Sequence, residues 1–268
     1  MRECYICGWA TSTSTSGAGV AGGGGVTGVT GDDGMAAWGC SRFRVLPGPG
    51  NITANDSNAS EVRMPVIVVA NPKGGVGKST LSTNIAGYLA SRGHAVMLGD
   101  VDRQQSARTW LGLRPAGAAA IGTWEATHDD IVRPPKGTTH VVLDTPAGLH
   151  GKRLDEVMRL ADKVLVPLQP SIFDIRATHD FVQLLKAHRR SDKVKIALVG
   201  MRTREHTIAT DQLRSFLEGL DVPLLGFIRD TQNYVHLAAH GLTLWDVGSS
   251  RFERDLEQWK PIMEWLDA

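Results

Sequence analysis

Apolar residues fall into short unbroken runs, separated by longer stretches in which they recur every three or four positions. Val66-Ile67-Val68-Val69 is one such run, mostly β-branched and without alternation, the pattern of a strand buried on both faces. Similar runs occupy 95–99, 140–144, 163–167, 195–200 and 223–228. Between them Leu81, Ile85 and Leu89 lie at helical spacing, as do Leu154, Val157, Met158 and Ala161. Two further sets follow, Ala177, Phe181, Leu184 and Leu185, then Leu213, Phe216, Leu217 and Leu220. Strands alternating with helices predict an α/β fold with a doubly wound, mostly parallel sheet and right-handed crossovers. A last stripe, Phe252, Leu256, Trp259, Met263 and Leu266, faces away from Glu253, Asp255, Glu257, Glu264 and Asp267. Acids opposite the stripe suit packing onto the domain rather than anionic lipid, and Pro261 is expected to interrupt this helix.

Residues 1–63 do not share the pattern. They carry nearly half of the chain's 30 glycines, a Thr-Ser repeat from Thr11 to Ser16 and the run Gly22 to Gly25. Such a segment has too little apolar surface to offset its ordering entropy, so 1–63 is expected to be a disordered Gly/Ser/Thr-rich leader and 64–268 a single domain. Cys4, Cys7 and Cys40 all lie in the leader. Cys4-x-x-Cys7 has zinc-like spacing, but one further cysteine without a placed histidine does not complete a tetrahedral set. A cytoplasmic, disulfide-free protein is the expectation, with no apolar run long enough to span a bilayer. The formal net charge is +1, so any nucleic-acid contact has to come from a local patch.

The chemistry concentrates where the first strand ends. Asn71-Pro72-Lys73-Gly74-Gly75-Val76-Gly77-Lys78-Ser79-Thr80 runs straight into the first helical set, giving strand, glycine loop, helix. Glycines let successive backbone amides turn inward, and the helix N-terminus adds partial positive charge, so Lys73 through Thr80 form a phosphate cradle. In such a cradle Lys78 reaches the β- and γ-phosphates and the Ser79 hydroxyl ligates Mg²⁺. The usual first glycine is replaced by Pro72, and a lysine, Lys73, opens the loop.

That KGGVGKST loop resembles the deviant Walker A motif of the ParA/MinD family of P-loop ATPases. Asp100-Val101-Asp102-Arg103-Gln104 resembles the family's DxDPQ segment with arginine in place of proline, Leu143-Asp144-Thr145-Pro146 its Walker B element, and Pro167 to Asp174 the PxxPSxxD stretch of short ParA proteins without a helix-turn-helix domain. Met64 stands where family members typically begin, so the leader reads as an upstream mis-start. The resemblance implies a weak Mg²⁺-dependent ATPase. Lys73, Lys78 and Asp102 are its catalytic residues, with Asp102 orienting a water, and Ser79, Asp100 and Asp144 hold the metal. Lys73 would reach the ATP of a second subunit, making ATP the glue of a homodimer. Asp100 and Asp102 are expected on opposite faces and in separate roles.

Short ParA proteins bind nonspecific DNA as ATP dimers and are released when a small ParB-like or cargo-adaptor protein stimulates hydrolysis. The resemblance therefore implies nucleoid association and the positioning of DNA or protein cargo, without a membrane. Candidate DNA contacts are Arg189 and Arg190 at one helix end, then Arg202, Arg204 and Arg229. The bland reading of the first two is cations at a helix C-terminus. The alternatives are a MinD-like membrane or cell-division regulator and an ATP-dependent protein switch that needs no DNA. His236 and His240 read as surface or core residues rather than metal ligands.

Overall fold

A computed structural model of the protein describes residues 64–124, 134–205, 207–248 and 250–268. The expected leader, with its cysteines, lies outside the described residues. The strands are β1 (Val66–Val69), β2 (Val96–Asp100), β3 (Ile121–Trp124), β4 (His140–Asp144), β5 (Lys163–Leu168), β6 (Lys195–Thr203) and β7 (Leu224–Arg229). They form a single parallel sheet in the order β3-β2-β4-β1-β5-β6-β7. The helices are α1 (Lys78–Ser91), α2 (Ser106–Gly112), α3 (Gly151–Leu160), α4 (Ile172–Lys186), α5 (Ile208–Glu218), α6 (Gln232–Ala239) and α7 (Glu253–Asp267).

Strand alternation divides the interior in two. Ile67 and Val69 of β1 join Leu81, Ile85 and Leu89 of α1, Tyr234 and Leu237 of α6, and Trp259 and Ile262 of α7 in one core. Val66 and Val68 point the other way, into a core built from Leu154, Val157 and Met158 of α3, Phe181 and Leu185 of α4, and Leu213 and Leu217 of α5. Helices therefore cover both faces, the arrangement that all-parallel sheets require. Within α1, a Cβ on Gly87 would lie 2.4 Å from Thr243 Oγ1, so the glycine is what lets α1 meet the 3-10 turn at Leu244–Asp246. Arg114, just past α2, closes a bidentate ion pair of 2.9 and 2.8 Å on Asp246 in the same turn.

Three expectations change. β3 and α2 were not foreseen: β3 is an edge strand with one of its four residues buried, and α2 buries only Ala107 and Trp110. Neither presents enough apolar surface to leave a pattern. Pro261 does not interrupt α7, which runs continuously from Glu253 to Asp267. The ring removes one backbone hydrogen bond, but Trp259, Ile262 and Leu266 are buried on both sides of it and hold the turns together. Leu184, assigned to a buried stripe, is 47% exposed, because Phe181, Val182 and Leu185 already fill the contact of α4 with the sheet.

The start of the strands is a clamped edge. Lys163 Nζ, at the first residue of β5, donates to the carbonyls of Trp265 and Leu266 at 2.9 and 2.6 Å, satisfying the C-terminal end of α7. Tyr88 Oη, near the end of α1, donates to Asp267 Oδ2 at 2.7 Å. The rings of His94 and His140 pack nearby with centroids 4.1 Å apart.

Candidate functional site

At the other edge, where the strands end, the loop from Asn71 to Gly77 joins β1 to α1. Its shape depends on glycine: Gly75 and Gly77 have φ of +75° and +96°, in the left-handed region. A Cβ on Gly77 would also come 2.9 Å from Met201 Cε. The loop is tied to its neighbours at three points. Asn71 Oδ1 accepts from the Lys73 amide at 2.8 Å, and its Nδ2 donates to the Pro167 carbonyl at 2.8 Å and Thr178 Oγ1 at 3.0 Å. The Gly148 amide donates to the Pro72 carbonyl at 2.8 Å, and Gln169 Nε2 donates to the Gly75 carbonyl at 2.7 Å.

Lys78 lies inside this frame. Its Nζ donates to the Lys73 carbonyl at 2.7 Å, curling back under the loop. Burial lowers its pKa, and the charges of Asp144 and Asp102 partly restore it. An anion bound above the loop would do the same more strongly.

Parallel register sets the acids. Asp100 ends β2 and Asp144 ends β4, and the two are Cα partners, while Val69 of β1 flanks Asp144 on the other side. Asp144 is 1% exposed, and burial pushes its pKa up to about 7 against the pull of Ser79, Lys78 and Ser82. Ser82 Oγ donates to Asp144 Oδ1 at 3.2 Å, and the Ser79 side chain also bonds this carboxylate. An acid whose ionisation burial disfavours, with a hydroxyl at the helix N-terminus beside it, fits a divalent cation that would displace its proton on arriving with phosphate oxygens. Mg²⁺ is held in that way, by one or two carboxylates plus phosphates and waters rather than by a protein cage.

Asp100, expected at the metal, is held by backbone amides. Its Oδ1 accepts from the Asp102 amide at 3.0 Å, and its Oδ2 from the amides of Ala107 and Arg108 at 2.8 and 3.3 Å. The carboxylate is spent on capping α2, and burial raises its pKa against those same bonds. Nor do Asp100 and Asp102 divide between two strand faces, since residues two apart in a strand share a face, and β2 in any case ends at Asp100. Asp102 sits in the following turn, where its Oδ1 accepts from the Gln104 amide at 3.0 Å.

Lys73 is half-buried beside Asp174 of α4; burial raises the pKa of that acid and the lysine's charge lowers it. Gly74, Gly75, Gly77, Lys78, Ser79 and Thr80 floor a cleft of about 830 Å³ whose walls include Asp102, Arg103, Ala147 and Arg153. Six of the eight expected cradle residues thus line one cleft, and Lys73 and Val76 do not. Val76 is buried under the loop.

The five candidate DNA cations do not form one patch. Arg189 and Arg190 follow the end of α4 and precede β6, at the clamped edge, whereas Arg202, Arg204 and Arg229 lie where β6 and β7 end. Arg229 is not an open cation: its Nε and Nη2 reach the fully buried Asp255 at 2.6 and 3.1 Å. It fastens β7 to α7. Arg204 pairs with Asp230 at 2.9 Å on the surface. Arg202 lines the cleft itself. His236 and His240 stack on and just past α6 with centroids 4.9 Å apart.

Sequence reasoning missed Asn71, Thr178, Gln169 and Ser82. Asn71 had a signal, an Asx residue between a strand and a proline. The other three act through contacts of 62 residues or more in sequence separation, which no local pattern shows.

Comparison with known proteins agrees with this geometry. The profile of the CobQ/CobB/MinD/ParA nucleotide binding domain matches residues 67–244. The Maintenance of carboxysome distribution protein A of Halothiobacillus neapolitanus is 31% identical, over 68% of this chain and 88% of that protein. The Chromosome-partitioning ATPase Soj of Thermus thermophilus is 52% identical over 50% of this chain and 67% of its own. Among solved structures, the MinD cell division protein of Aquifex aeolicus superposes with a TM-score of 0.60 at 21% identity, covering 76% of this chain and 97% of that one, which shows the shared fold. The chain belongs to the ParA/MinD family of nucleotide-binding proteins.

Proposed function

We propose that this ParA/MinD-family chain is an ATPase that dimerises around ATP and Mg²⁺ and uses the cycle of assembly and hydrolysis to position DNA or protein cargo. The observation that supports it most directly is a cleft lined by Lys78 and Ser79, with the buried Asp144, whose ionisation burial disfavours, bonded to Ser79 and Ser82, and with a second lysine, Lys73, at the start of the loop. Lys78 and the amides of 74–80 would bind the phosphates, and Ser79 and Asp144 would hold Mg²⁺, which supplies charge neutralisation to the phosphate oxygens. Asp102, carried on its own turn, would orient the attacking water. Lys73 of a second copy would add the cation that in many NTPases is an arginine, a contribution worth about 10³ to 10⁵ in rate.

DNA contact is assigned to Arg204, with Arg189 and Arg190 as a separate site at the opposite edge, and Arg229 is withdrawn. A small partner protein would trigger hydrolysis and release. A second reading, a switch acting through proteins without DNA, has its own support: Phe173 and Ile208, 76% and 77% exposed, stand in the first turns of α4 and α5 on the cleft edge. The MinD-like membrane alternative loses its main feature, since the apolar stripe of α7 is buried, and no helix among the described residues is long and apolar enough to cross a membrane.

Light scattering with ATP and Mg²⁺ tests the core of this. Asp102→Ala, blocked in hydrolysis, should be a dimer and Lys73→Ala a monomer; equal dimer content would sink the in-trans role. Gel shifts of the ATP dimer at two salt concentrations then separate the two readings, because nonspecific DNA binding must weaken steeply with salt.

A further inference from the structure

The end of β6 is irregular in a way that the fold alone does not require. Its pairing with β7 slips twice, between Leu198 and Val199 and again between Gly200 and Thr203. The second slip holds Met201 and Arg202, and Arg202 has φ of +51°. That is the left-handed region, strained for any residue with a Cβ and ordinarily given to glycine. Bulges next to a site re-aim a side chain, and strain kept at one position points to a function that the side chain performs.

The place it is aimed at is specific. Met201 packs against Gly77, so the backbone just before Arg202 is fixed relative to the phosphate loop. Arg202 lines the phosphate cleft and also a neighbouring cavity of about 450 Å³, and Gly77 and Thr80 are shared by the two spaces. The far wall of the second cavity mixes apolar Ile228 and Val235 with polar Asp230 and Thr231, a surface suited to a heterocycle and its sugar. Asp102 and Lys78 mark the reacting end of a bound polyphosphate. Arg202, with Thr80, stands where the phosphate cleft meets the second cavity.

We infer that Arg202 is a binding residue of the nucleotide site, holding the junction between the first phosphate and the nucleoside, and that its charge serves the nucleotide and not DNA. This deepens the proposed ATPase reading and rests on it. An arginine suits the position because its planar fork can pair with phosphate oxygens while its face covers a ring. A contact at the junction is common to ADP and ATP, whereas a contact at the terminal phosphate would discriminate between them.

The test titrates a fluorescent ADP and a fluorescent ATP analogue into the full chain, as wild type, Arg202→Gly and Arg202→Lys. Arg202→Gly should bind both nucleotides about ten- to a hundredfold more weakly, and by a similar factor for each. Its melting temperature without nucleotide should be unchanged or higher, since glycine takes the same φ without strain. Arg202→Lys should fall between the two. Wild-type affinity in Arg202→Gly would overturn the inference, as would a loss confined to ATP or a loss matched by a lower melting temperature. Unchanged nucleotide affinity with DNA retention lost at saturating nucleotide would return Arg202 to the DNA surface. Should the wild type bind neither nucleotide, the ATPase reading itself falls, and this inference with it.

Discussion

The two edges of the sheet are made by opposite means. Where the strands begin, side chains close the structure: Lys163 caps the last carbonyls of α7, Tyr88 bonds Asp267, and the stripe of α7 from Trp259 to Leu266 is buried. Where the strands end, the structure is left open: a cleft of about 830 Å³ lies beside a buried carboxyl whose ionisation burial disfavours. One edge gathers satisfied groups, and the other gathers groups that a ligand would satisfy. Stability and binding should therefore separate along the strand direction.

Substitutions at each edge can break that separation. At the open edge, Lys78→Ala should lower nucleotide affinity about a hundredfold or more, through lost charged hydrogen bonds, with no fall in melting temperature, because the buried ammonium is already disfavoured there. Calorimetry and a fluorescent nucleotide titration on the same sample check both halves. Trp259→Ala, in contrast, should cost about 3–5 kcal/mol of stability, read by denaturant unfolding, while the protein that remains folded binds nucleotide normally. A comparable binding defect in that folded fraction would show that the edges are coupled.

Titration sharpens the comparison further. Burial, the charge of His94 and that of Lys163 hold His140 down at about 4, against the pull of Asp267. The folded pKa lies below the ordinary 6.5, so the unfolded chain takes up the proton first. Stability is then full above about 6.5 and declines as pH falls towards 4. His140→Gln should flatten that part of a stability-versus-pH curve, and nucleotide affinity in the folded protein should not follow it. The smallest effect belongs to residues 1–63. A chain beginning at Met64 should melt at the same temperature and bind nucleotide equally, and a drop of several degrees would mean that the leader packs on the domain.

How much of this was legible follows the range of the forces involved. The phosphate loop was readable residue by residue because its chemistry is local: glycines, two lysines and a serine in consecutive register, between a strand and a helix. Both cores were readable, since a buried strand and an amphipathic helix each leave a period. β3 and α2 were not, because an edge strand and a two-turn helix bury too little to leave one. The amide contacts of Asp100 were illegible for another reason. Its spacing from Asp102 is visible, but which amides a carboxylate accepts from depends on where the strand stops. Arg229 likewise reads as one more surface cation until α7 brings Asp255 under it.

The enclosure of α1 has a mechanical consequence. Eleven of its 14 residues are buried, so no face of it is free to slide. α2 is held at its start by Asp100 and just past its end by the pair of Arg114 with Asp246. With both helices pinned, the parts among the described residues left to respond in the proposed ATPase cycle are the short turn at 101–105 and the loop at 145–150. Segments of that size rearrange in roughly nanoseconds to microseconds, so the molecule works less like a hinge than like a lock with a rigid case, whose tumblers alone register the difference of one phosphate.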